Sequence, residues 1–181
     1  MFLYADPIKK LDVTSFNTSN ATNMGYMFDQ LKNLEELDVT GFNTSKVTNM
    51  SNMFNSCAKL TELDVTNFDT SKVTIMDGMF AGLKNMEVLD LSSFNTGKVT
   101  TMYYYFVETN KLKTVYVSDL WSTDALSSHG GTFFQSQSTI TGGAGTRMAQ
   151  NSTSDIYARI DDPDNNGEKG MFTYKNARYI R

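Results

Sequence analysis

The chain has 181 residues, 40% of them hydrophobic and 20% charged, with a formal net charge of −4. That is long enough for one domain with a sizeable core, and the acidic balance argues against nucleic acid, which selects a concentrated basic surface. One cysteine, Cys57, and one histidine, His129, exclude an intramolecular disulfide, a cysteine-based zinc cluster and most histidine-dependent catalysis.

The chain opens with Met1–Lys10, which has neither the basic nor the apolar region of a signal peptide, and no apolar run approaches the roughly 20 residues of a bilayer span. Met1-Phe2 falls one step of 26 before Met27-Phe28, so the sequence is expected to start inside a repeat and to be a fragment of a longer protein. Four regular units follow. "LDVTSFNTSNATNMGYMF" begins at Leu11, "LDVTGFNTSKVTNMSNMF" at Leu37, "LDVTNFDTSKVTIMDGMF" at Leu63 and "LDLSSFNTGKVTTMYYYF" at Leu89, each 26 residues after the last.

Within a unit, "L-D-V-T" alternates apolar and polar residues and predicts a short strand. Val47, Met50, Met53, Phe54 and Cys57 recur at intervals of three and four, which predicts a short helix with Thr48 as its N-cap. Neither element is stable alone, so stacked units are expected to bury both apolar faces in one core. The resulting expectation is an α/β leucine-rich-repeat solenoid, with parallel strands on the concave side and short helices on the convex side. Its bounds are 1–140: a truncated unit at 1–10, four repeats at 11–114 and a degenerate one at 115–140. A C-terminal cap at 141–181 follows, with "DIYARI" and "MFTY" as the strands of a β-hairpin.

The unit "LDVTGFNTSKVTNMSNMF" resembles the repeat of BspA-like leucine-rich-repeat surface proteins of bacteria, and "GGAGTRM…YARIDDPDNNGEKGMFTY" resembles the tail that closes such arrays. The resemblance implies an extracellular protein held at the bacterial cell surface, acting in adhesion.

Candidate binding residues fall into three groups. Asp12, Asp38, Asp64 and Asp90 recur at one offset, with Thr14, Thr40, Thr66 and Ser92 two residues on, and Tyr116 extends the Asp row. Stacked about 5 Å apart, neighbouring carboxylates repel by about 0.8 kcal/mol even in a water-like dielectric. Either the hydroxyls hold them and they only shape the sheet, or a cation or basic partner meets them. Tyr103, Tyr104 and Trp121 form the second group, an aromatic patch for a protein or sugar. Tyr105, by register with Met27, Met53 and Met79, belongs to the core.

The third group, Asp162, Asp164 and Asn166, begins like a calcium loop, but Thr173 stands where the bidentate Glu should be, so a hairpin turn is preferred. Cys57 shares the offset of Leu31 and Leu83 and reads as a buried hydrophobe. Lys46, Lys72 and Lys98 read as a solvated row, and the "NTS" at 17–19 and 43–45 as a repeated turn. No enzyme signature emerges and no cofactor is expected. The function expected is a non-enzymatic, monomeric module binding a host or bacterial surface protein or glycan; the alternative is a spacer that projects other domains.

Overall fold

The computed structural model describes residues 8–127 and the backbone of Thr173–Tyr174. Four short strands lie in the first stretch: β1 (Lys10–Leu11), β2 (Glu36–Leu37), β3 (Val88–Asp90) and β4 (Thr114–Val117). A fifth, β5, is Thr173–Tyr174. They form two small parallel sheets, β1-β2 and β3-β4-β5. Lys10 faces Glu36 and Leu11 faces Leu37; Leu89 faces Val115. Residues 26 apart therefore lie side by side. β5 pairs parallel with β4, Tyr116 beside Thr173. The rest of the expected hairpin cap lies outside the described residues.

This is not the expected α/β leucine-rich-repeat solenoid: the described residues contain no helix, and the strands make no continuous sheet. The reason is where the N–H groups of the supposed helix go. Met24, Tyr26, Phe28 and Gln30 do not donate back along their own segment. They donate to the carbonyls of Asn49, Ser51, Met53 and Asn55 in the next unit, at 2.8–3.0 Å. Met50, Asn52, Phe54 and Ser56 repeat this toward Ile75, Asp77, Met79 and Ala81. The backbone reaches its neighbour at every second residue by alternating hands. One left-handed column holds Tyr26, Asn52, Gly78 and Tyr104, with φ between 54° and 60°; the other holds Gln30, Ser56, Gly82 and Glu108, with φ between 56° and 68°. Left-handed residues end a helix. Here they recur every fourth residue, so none can start.

The core is nonetheless one cluster. Phe28 stacks on Phe54, Phe54 on Phe80 and Phe80 on Phe106, with centroids 5.7, 6.0 and 6.3 Å apart and rings within 12° of parallel. Val47, Met50, Met53, Phe54 and Cys57 are all fully buried, so the apolar spacing read as a helical face lines the core through successive turns instead. Burial pushes the Cys57 thiol up to about 12, and its Sγ donates to the Phe28 carbonyl, so it behaves as a hydrophobe.

A row of buried threonines ties the units together. The Thr70 hydroxyl accepts from the N–H of Asn95 at 2.8 Å and donates to the carbonyl of the same residue at 2.9 Å. Thr44 does the same for Asp69 and Thr96 for Ser122. Each hydroxyl thus satisfies a neighbouring unit's peptide as a ladder partner would.

Candidate functional site

The strand face carries a groove of about 770 Å³ that runs across the first three units. Leu11, Val13, Leu37 and Leu63 supply its apolar lining, Asp12, Glu35, Glu36, Asp38, Glu62 and Asp64 its carboxylates, and Lys10 a cation. The groove lies where the strand ladder lapses. Register would place Glu62–Leu63 between β2 and β3, yet this segment has no strand pairing to either, among the described residues. Asn67 bridges part of the gap, its amide nitrogen donating to the carbonyls of Thr40 and Phe42, both at 3.0 Å.

The Asp row is held from within each unit. The Asp12 carboxylate accepts from the Thr14 hydroxyl at 2.7 Å and the Thr14 N–H at 3.0 Å. Asp38 with Thr40 and Asp64 with Thr66 repeat both bonds. Asp90 accepts from the N–H of Ser92 at 3.1 Å. These hydroxyl and N–H donors hold the carboxyls of Asp12, Asp38 and Asp64 below the usual carboxylate range, against a smaller upward push from neighbouring carboxylates on Asp38 and Asp64. All three are exposed and ionised at neutral pH. Tyr116, half-buried in β4, lies beside Asp90 at the end of the row.

The charges near the groove do not cancel. Lys10 is paired with Glu36, which raises the lysine's pKa, and Lys9 and Lys59 approach Glu35 at 3.5 and 3.9 Å. Exposed pairs of this kind contribute little to stability. Asp12, Asp38, Glu62 and Asp64 form none of the ion pairs found among the described residues.

The aromatic patch is only partly as expected. Tyr104 is 52% exposed and Tyr103 half-buried, their rings 6.5 Å apart and tilted by 46°. Tyr26, 44% exposed, shares Tyr104's left-handed column three units earlier. Tyr105 is fully buried, its hydroxyl on the Met76 sulfur at 3.8 Å.

Trp121 does not belong to the patch: it is buried and packs against Tyr105, centroids 6.1 Å apart. A one-residue slip explains this. Thr44 and Thr70 bond residues 25 further on, whereas Thr96 bonds Ser122, 26 further on. The N–H of Trp121 bonds the Ser118 carbonyl as that of Phe94 bonds Leu91. Trp121 therefore occupies the next place in the column of Phe42, Phe68 and Phe94, not that of half-buried Asn95.

Among the described residues no group of three or more His, Cys, Asp or Glu side chains is arranged to hold a metal, and no helix is long and apolar enough to cross a membrane. The candidates Asp162, Asp164 and Asn166, and His129, lie outside the described residues.

The family described as "Mycoplasma protein of unknown function, DUF285" matches residues 27–141, well over half of the chain. The chain belongs to this family. The DUF285 match begins in the first regular unit, at Met27, so it takes in most of the stacked turns and their threonine row. No curated protein and no solved structure matches the chain.

Proposed function

We propose that the chain is a non-enzymatic binding module displayed at a bacterial surface, presenting its strand-face groove to a macromolecule of a host or of another bacterium. The groove carries the reading: a concavity of about 770 Å³, apolar within and rimmed by exposed carboxylates, of which Glu35 and Glu36 meet lysines while Asp12, Asp38, Glu62 and Asp64 form none of the ion pairs found among the described residues. Such a combination suits recognition, in which apolar area gives affinity and unneutralised charge gives selectivity. Two further points support it. The repeat unit resembles that of BspA-like surface proteins, and two tyrosines stand exposed in a backbone conformation that bulky residues avoid.

The test is to immobilise the 181-residue chain and present matrix proteins, wall polymers and a glycan panel. Saturable binding to a member of the panel is expected. Uniform failure would sink the reading in favour of a spacer that only projects other domains.

A further inference from the structure

Resting on the binding reading just given, we infer that the groove's occupant is an extended basic peptide in a polyproline-like conformation, with a lysine or arginine at every third position. The first argument is a comparison inside the molecule. The turn at the start of each unit needs one side-chain oxygen to accept from the N–H two residues on. A second turn in the same units needs the same bond, and there asparagine makes it: Asn17 and Asn43 each accept from a serine N–H at 3.1 Å and its hydroxyl at 2.7 Å, and Asn95 accepts from Gly97 at 3.1 Å. Only Asp69 breaks that pattern. At the first turn the residue is aspartate in every regular unit, Asp12, Asp38, Asp64 and Asp90, and the first three line the groove. The charge is therefore not a requirement of the turn, and stacking it in a row costs repulsion that asparagine would avoid. A cationic partner removes that cost.

The second argument is the shape of the surface. The apolar lining and the unladdered Glu62–Leu63 backbone favour a chain that brings aliphatic stems and peptide groups as well as charge. Spacing then selects its conformation. Two steps of the stack, from Asp12 to Asp64, are about 10 Å at sheet-like separation. A polyproline helix advances about 9 Å in three residues and returns its side chains to the same side. Alternate residues of a flat strand are about 6.8 Å apart and match neither one step nor two.

The experiment uses the full chain and three fluorescent proline-rich peptides of equal charge, with lysine at every third position, at every second, or in one block, read by anisotropy. The every-third peptide is expected to bind most tightly, and raising salt should weaken it. The triple variant Asp12→Asn, Asp38→Asn, Asp64→Asn keeps the turns, since asparagine makes the same bonds, and should weaken that peptide at least about tenfold. Equal binding of all three peptides, or an unchanged affinity in the triple variant, would overturn the inference, as would binding of a divalent cation in the peptide's place. Capture of a panel member with no affinity for any basic peptide would leave the binding reading standing and remove only this occupant. Failure of both assays would remove both.

Discussion

Thr70→Val exchanges a hydroxyl for a methyl of nearly the same shape at a site 1% exposed. Two bonds vanish, and the N–H and carbonyl of Asn95 both lose the partner that stood at 2.8 and 2.9 Å. An unsatisfied buried polar group costs about 1–3 kcal/mol. Asn95 is half-buried, so water recovers part of this, and about 2–4 kcal/mol is expected for the pair. For a chain of this length that lowers the midpoint of thermal unfolding by roughly 5–15 °C. Thr70→Ser keeps both bonds and loses one methyl, which costs about 1 kcal/mol. Circular dichroism melts of the two variants beside the parent decide the matter. If Thr70→Val melts with the parent, or if Thr70→Ser is the more damaged, the hydroxyl does not bridge the units.

Gly82→Ala places a Cβ 2.9 Å from the Ser56 Cα at a residue with φ of +68°, and should destabilise by about 2 kcal/mol or more, whereas Gly41→Ala, with nothing within 4 Å, should be close to neutral. Equal melting of the two would remove the argument for close contact between successive units along the left-handed column of Ser56 and Gly82. The carboxyls of Asp12, Asp38, Asp64 and Asp69 are depressed by hydroxyl and N–H donors, so their contribution is complete above the unfolded carboxylate value near about 4 and is lost as pH falls through the folded values. Melts from about pH 7 to 2 should show that loss, and Thr66→Val should show less of it; an acid profile unchanged in that variant would refute the assignment. Replacing Tyr103 and Tyr104 together by Ser should leave the melting temperature within a few degrees while reducing affinity for any panel member that uses this patch. A large fall in stability would mean that the pair is packed rather than displayed.

The 26-residue register is legible because the same residues recur at the same offsets, and Leu11 beside Leu37 and Leu89 beside Val115 follow from counting. The absence of a helix is not, because Val47, Met50, Met53, Phe54 and Cys57 satisfy a helical face and a turning coil equally well. A signal is present all the same. Asn52, Gly78 and Gly82 stand at the columns that need positive φ, and these residue types tolerate it, but Tyr26, Gln30, Tyr104 and Glu108 at the same columns hide the pattern. The Asp–Thr bonding is one of two readings open from sequence, and the structure shows the bonds. Trp121 defeats the count because one extra residue between Val117 and Trp121 breaks the register, which only the bonds of Thr96 and Trp121 reveal. The threonine row looks like an ordinary turn, since nothing in "NTS" says that its middle hydroxyl points to the next unit.

The bonds between the turns run in two senses. From Met24 to Asn49, from Met50 to Ile75 and from Met76 to Thr101 the N–H belongs to the earlier unit, whereas from Thr48 to Thr22, Thr74 to Thr48 and Thr100 to Thr74 it belongs to the later one. Peptide dipoles add along the first series as they do in a helix, with the positive pole toward the later units, and the threonine corner beside it sets an opposing series against that field, so the stack grows without the one-sided polarity of a helix.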